Sequence, residues 1–305
     1  MPPTKKARLK FDPNTVFVIT SSTTKDQVPN DVRFVRIDGS VRVLPEQLFM
    51  YHTSLEEVIF EEGVRTIGEN AFAYCGALTK VKLPFTLREI IDRAFFSCSS
   101  LTSIDLPVGL KVVAEFAFGF TNLRRLEFPA TVVTIRDGAF YCCEELESMS
   151  LPPSLEVIPL HLFYSCENLE EIEIPRTVKI IANGAFNCCS ALKKLDLSHC
   201  TQCFTIGHYA FTGCSVMSWI TLPPNLELIN GGTFENCSEL THIRVPPNVT
   251  SLGLTKVPIQ SFSPFGGCTS LLSLELPEGL EKTEMLHENR GGRNNWVDLV
   301  TNLQH

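Results

Sequence analysis

The chain has 305 residues, 44% of them apolar, with 34 acidic and 26 basic side chains, a formal charge of −8 and twelve cysteines. That length and apolar share exclude a disordered chain, and no run approaches the eighteen apolar residues of a membrane-spanning helix. Four cations sit in the first ten residues (Lys5, Lys6, Arg8, Lys10), so the remainder carries about −12, a charge that repels nucleic acid phosphates and anionic membranes.

The opening MPPTKKARLKFDPN lacks the apolar stretch of a secretory signal, which predicts an intracellular protein, cytoplasmic or nuclear. Residues 1–26 read as a basic, largely disordered tail, acting as a nuclear import signal or simply as a solubilising segment. Within it Val16, Phe17, Val18 and Ile19 predict a short strand over 16–19 that covers an open edge. In a reducing compartment the cysteines are expected as thiols or metal ligands rather than disulfides.

From residue 27 the chain repeats itself. AFAYCGALTKVKLP at 71–84 returns as AFFSCSSLTSIDLP at 94–107, AFYCCEELESMSLP at 139–152 and AFTGCSVMSWITLP at 210–223. Anchored on Phe49, Phe72, Phe95, Phe118, Phe140, Phe163, Phe186, Phe211, Phe234 and Phe265, the gaps are 23, 23, 23, 22, 23, 23, 25, 23 and 31 residues. A fixed period in this range marks a solenoid. Leu or Met stands six past nearly every Phe, and an apolar pair such as Val81/Leu83 or Ile220/Leu222 stands nine and eleven past. Spacing of two is the strand period, so both members of the pair point inward. Pro then ends the strand, because it has no N–H to donate. A second apolar pair at spacing three, Leu87/Ile90 or Leu226/Ile229, leads through a polar turn to the next Ala-Phe. One coil cannot bury these residues alone, whereas stacked coils make them a continuous core. Val32, Val35, Ile37, Val41 and Leu44 extend the pattern back as a first coil without its Phe; residues 284–305 read as an insertion and an incomplete last coil, with Val297 and Leu303 in repeat slots.

LTKVKLPFTLREIIDRAF (78–95) and LEEIEIPRTVKIIANGAF (169–186) resemble the BspA-like leucine-rich repeats, also called the Treponema pallidum type. The resemblance covers roughly residues 27–283. It implies a right-handed, strand-rich parallel superhelix with short helical or 3-10 turns, here of about ten 23-residue coils plus partial end coils. It also implies no catalytic residues and no cofactor. Bacterial members are typically surface proteins that adhere to partner proteins. This chain departs from regularity in the one-residue deletion after Phe118, the two-residue insertion before Phe211 and the eight-residue insertion before Phe265.

Eight cysteines share one slot, three past the Phe: Cys75, Cys98, Cys143, Cys166, Cys189, Cys214, Cys237 and Cys268. Repetition on nearly every rung favours a small buried packing residue over eight equivalent reactive sites. A sharper cluster, HCTQCFTIGH, holds His199, Cys200, Cys203 and His208 in a pattern able to ligate zinc. Against that reading, it straddles the two-residue insertion, where Cys203 fits the slot of Leu87 or Leu226. No phosphate-cradling glycine loop and no nucleophile elbow is present.

The outward strand positions carry more. Arg124 is expected to meet Glu147, Lys193 to meet Glu170, and Lys194 to lie beside Glu171, because stacked strands sit about 4.8 Å apart. Glu144, Glu145, Glu147, Glu167, Glu170, Glu171 and Glu173 outnumber their partners Arg124, Arg125, Lys193 and Lys194, which leaves an acidic patch on the middle rungs. Trp219 is the one large aromatic in its column. These features predict a non-enzymatic protein-interaction scaffold with an unidentified protein partner, a basic one being an option the acidic patch offers, and with no nucleic acid, membrane or small-molecule ligand. An exported adhesion protein is the alternative, and a metal-binding protein the third reading.

Overall fold

In the computed structural model, residues 15–252, 263–277 and 280 are described. The candidate import segment, the eight-residue insertion and the end coil at 284–305 lie outside the described residues.

Each coil contributes to columns that run the length of the molecule. The first column holds the strands Phe17–Ile19, Phe34–Ile37, Glu57–Phe60 and Lys80–Lys82, then Arg125–Glu127, Ser148–Ser150 and Glu171–Glu173, and finally Lys194–Asp196, Trp219–Thr221, His242–Arg244 and Ser273–Glu275. All pairings are parallel, in one-to-one register from coil to coil. Alternation decides which side chain enters the core: Glu171 and Glu173 are exposed while Ile172 between them is buried. The expected strand at 16–19 is present as Phe17–Ile19, paired with the coil that lacks a Phe.

The second apolar pair forms a second column of two-residue strands, from Val43–Leu44 through Thr66–Ile67 and Glu89–Ile90 to Leu228–Ile229, also parallel. Both columns are interrupted. No strand forms across Ile104, although that side chain stays buried. The break lies beside the one-residue deletion, which places Leu123 only five past its Phe. A second break separates Glu171–Glu173 from Lys194–Asp196, the strand that leads into the two-residue insertion.

The third side of each coil is a turn, not the short helix the family resemblance implies. Among the described residues the one 3-10 helix is Lys25–Gln27, before the repeats. In the turns, backbone donors alternate. Phe72 and Tyr74 donate to carbonyls of the next coil (Ala94 and Phe96, 2.8 Å each), whereas Ala73 and Cys75 donate within their own turn (3.1 Å each). A helix would keep all these bonds local; here half are exchanged between coils, so the turn is also a ladder. The alternation requires a left-handed residue two before and two after the Phe, as at Asn70 (φ 53°) and Tyr74 (φ 63°).

Inside the turn, the ten repeat phenylalanines are fully buried and stack with centroids 5.2–6.1 Å apart. The slot cysteines lock this stack. Each Sγ donates to the carbonyl of the Phe one coil earlier, from Cys75 to Phe49 at 3.0 Å through Cys268 to Phe234 at 3.1 Å. Thr121 takes the slot after Phe118 and bonds that residue's own carbonyl at 2.8 Å.

Candidate interaction surface

The outward residues of the first column border a groove of about 910 Å³. Its charged lining comprises Arg125 and Lys194 against Glu127, Glu171, Glu173 and Asp196, and His199 and Trp219 stand at one end. The carboxylates outnumber the cations. Ser198 N–H bonds the Asp196 carboxylate at 2.9 Å and holds its pKa below the usual range, so that charge is fixed. The groove spans the break between Glu171–Glu173 and Lys194–Asp196.

The ion pairs of this face run between neighbouring coils. Lys193 meets Glu170 at 2.8 Å, as the column order requires. Glu147 is instead met by Arg125 at 3.3 Å, and Arg124 turns to Glu145 at 3.8 Å. Arg124 and Glu147 are still backbone neighbours (Glu147 N to Arg124 O, 2.8 Å), but the longer diagonal reach of Arg125 takes the carboxylate. Lys194 lies across the strand break from Glu171, and neither belongs to an ion pair among the described residues. All three observed pairs are well exposed, where such a pair contributes about 0–1 kcal/mol.

Trp219 is 43% exposed and lies in register between Lys194 and His242. It also borders a second groove of about 500 Å³, which Pro224, Arg244, Pro246 and Glu275 help to line. The indole is thus a wall common to two grooves.

The candidate metal cluster of the third reading is not assembled. Cys200 and Cys203 are buried, and Cys203 donates its N–H to Cys200 O just as Leu226 does to Pro223 O, so the pair replaces Pro-x-x-Leu in the core. Burial pushes the two thiols up to about 11 and about 12, the opposite of what a ligand thiolate needs. His199 faces the groove and its ring Nε2 contacts Ile174 O at 2.7 Å, whereas His208 sits past the second column and donates its backbone N–H to Asn183 Oδ1. Among the described residues no group of three or more His, Cys, Asp or Glu is placed to hold a metal ion. Likewise, no helix among them is long and apolar enough to cross a membrane.

A further exposed feature falls outside the column expectations: aromatic residues one or two past the repeat Phe, beginning with Tyr51 and Tyr74. Their recurrence beside the anchor residue is the sequence signal that reveals them.

Parallel strand columns, a buried Phe stack and a cysteine slot on a 23-residue period meet one sequence pattern: the BspA type leucine rich repeat region, in six copies, matches residues 30–145 and 133–258. The chain belongs to that family. Among solved structures, this BspA-type chain is similar to the leucine rich repeat protein of T. pallidum, with 32% identity, coverage of 59% of this chain and 79% of that one, and a TM-score of 0.50. A leucine-rich repeat protein from Bacteroides ovatus matches at 23% identity over 91% of both chains, with a TM-score of 0.43. A leucine rich cell surface protein from Faecalibacterium prausnitzii matches at 21% identity over 90% of this chain and 83% of that one, with a TM-score of 0.46. No curated protein matches the sequence.

Proposed function

We propose that this BspA-type chain is a non-enzymatic protein-interaction scaffold that works in the cytoplasm or nucleus and binds a basic protein segment along the groove of its first strand column. The observation that carries this reading is the exposed Trp219 at the end of a groove with four carboxylates and two cations. A large aromatic with a polar edge buries much area at low entropic cost, and the surplus carboxylates select for positive charge while disfavouring nucleic acid and anionic membrane. The intracellular assignment is supported by the thiol ladder, since oxidation to disulfides would forfeit every Sγ–H donor to a Phe carbonyl.

The test is affinity purification from the source cells with the full chain and its Trp219→Ala variant. A partner held by the wild type should weaken by about 2 kcal/mol or more in the variant, roughly thirtyfold, with thermal stability nearly unchanged. Unchanged recovery together with a lowered melting temperature assigns Trp219 to packing and moves the binding face elsewhere. Localisation of the tagged chain at the cell surface replaces the intracellular part of the reading with surface adhesion, which the family also supports.

A further inference from the structure

The turn side carries a second surface whose chemistry differs from that of the groove. Tyr51, Tyr74, Phe96, Phe120, Tyr141 and Tyr164 form an unbroken outward ridge with successive ring centroids 4.7, 5.6, 5.2, 5.6 and 4.7 Å apart. Tyr51 is 62% exposed, Phe120 42% and Tyr74 37%, and the other three are half-buried. Phe116 joins from the side, 5.6 Å from Tyr141. The ridge is one ring wide and spans six turns, roughly 24 Å at the coil spacing, the length of about seven residues of extended chain.

The fold does not require these rings. Tyr51, Tyr74, Phe116 and Phe120 occupy left-handed backbone positions (φ 51–67°) that bulky residues avoid. In later turns Gly184, Gly213, Gly232, Asn236 and Gly267 fill most of the equivalent positions, with Cys188 and Tyr209 the exceptions, and the ridge stops at Tyr164. The rings are also held in place. A Cβ added at Gly119 would meet the Phe96 ring at 3.2 Å and one at Gly138 the Phe116 ring at 2.5 Å, so both rings pack closely against the next coil. Pre-set rings lose little freedom on binding.

Beside the ridge, three residues before each repeat Phe, run Glu46, Glu69, Asp92, Glu115 and Asp137, on the turns of Phe49 to Phe140. None of the five is in an ion pair among the described residues. The row directly adjoins the aromatics: Glu115 precedes Phe116, whose N–H donates to Asp137 O. One contact within the chain shows what this surface accepts. The Arg93 guanidinium, next to Asp92, lies over the Phe116 ring at 5.1 Å.

We infer that this ridge and its acidic row form a binding site, separate from the groove, for an extended arginine-bearing segment of a partner protein. Flat guanidinium groups stack on the rings and present a donor fork to the carboxylates, two contacts that the compact, strongly hydrated lysine ammonium does not make together. Spaced rings and a charge row along one line suit an extended segment better than a folded surface.

The probe is a fluorescent decapeptide alternating arginine and glycine, compared with its lysine–glycine counterpart by anisotropy on the full chain. The arginine peptide is expected to bind at least fivefold tighter than the lysine peptide. Tyr74→Ala with Tyr141→Ala should weaken it tenfold or more, and Glu69→Gln with Glu115→Gln, which remove charge and leave the backbone ladder in place, at least threefold. Trp219→Ala should leave it unchanged, which separates this site from the groove. Equal affinity for both peptides, insensitivity to the tyrosine changes, or loss in Trp219→Ala overturns the inference. So does a tenfold gain when Lys5, Lys6, Arg8 and Lys10 are all changed to serine in the full chain, because the occupant is then the chain's own amino-terminal segment.

Discussion

Phe163 and Tyr164 are consecutive residues of one turn, yet they belong to different stacks. Phe163 is fully buried between Phe140 and Phe186, in a column that runs without a gap from Phe49 to Phe265. Tyr164 faces outward and stacks on Tyr141 at 4.7 Å, in a ridge that ends there. The backbone ladder continues past Tyr164 with the same bonds, from Cys188 to Thr212 and from Gly213 to Glu235. The difference separates what the solenoid needs from what it merely permits. An interior vacancy leaves a cavity that neighbouring coils cannot close, so the inner stack is continuous. An exterior position can be glycine, and at Tyr51, Tyr74 and Phe120, though not at Tyr164, a bulky residue also bears a left-handed backbone that costs roughly 1–2 kcal/mol, so the solenoid itself does not call for aromatics there.

The largest test of that separation is the pair of truncations side by side. Phe163→Ala should destabilise by about 3–5 kcal/mol, the range for emptying a buried aromatic site. Tyr164→Ala should cost about 0.5–1.5 kcal/mol, the worth of one stacked pair. Denaturant melts of both variants measure the gap. Because coils contact only neighbours, hydrogen exchange in Phe163→Ala should quicken around residues 140–190 first. Equal losses would mean that the outer ridge is part of the core after all.

Much of the inner stack was readable because every element of it repeats on one period. Phe, Cys and Leu recur with the strand pair and its closing Pro, and each marks a buried or strand-ending position. The second column was not readable as strand, since a two-residue unit such as Thr66–Ile67 shows no alternation to count. Nor were the left-handed turns, because Tyr51, Tyr74 and Phe116 stand where glycine or asparagine would have announced them. At the surface, column order correctly placed Lys193 against Glu170 but not Arg125 against Glu147, since backbone register does not determine how far a long side chain leans. Insertions and deletions were visible, whereas the strand breaks beside them depend on three-dimensional register.

The thiols sharpen the comparison at a smaller scale. Cys166→Ala removes the Sγ donor to Phe140 O (3.2 Å) and a small buried volume, and should cost about 1–2 kcal/mol in the same melts. Burial pushes Cys75, Cys143 and Cys268 up to about 12 and raises the other slot thiols too. Iodoacetamide at pH 8 should therefore modify Cys142 and Cys188 first, the two that are only half-buried, with the other ten reacting on the timescale of unfolding. Mass spectrometry of timed samples resolves the order. Early labelling of any slot cysteine would show that the inner stack opens locally.

The smallest effect concerns His52, which occupies the cysteine slot of the Phe49 turn. It is 6% exposed and neither ring nitrogen has a hydrogen-bond partner. Its ring meets Phe49 edge-on at 5.6 Å. Burial lowers its pKa below 6.5, and the nearby Lys25 charge adds to this. With the folded value depressed, the unfolded chain binds the extra proton first as pH falls. The stability that depends on neutral His52 is thus complete above about pH 6.5 and declines below it. Thr121 shows that threonine fits this slot elsewhere, so His52→Thr is the informative change. The variant will start from a different stability, and the readout is the slope: between pH 7 and pH 5 the wild type should lose more melting temperature than His52→Thr. Every other group is common to both proteins and cancels in the difference. Parallel slopes would mean that the His52 ring finds a proton partner in solution, and that the slot at this end of the stack is looser than the fully dry slots that follow it.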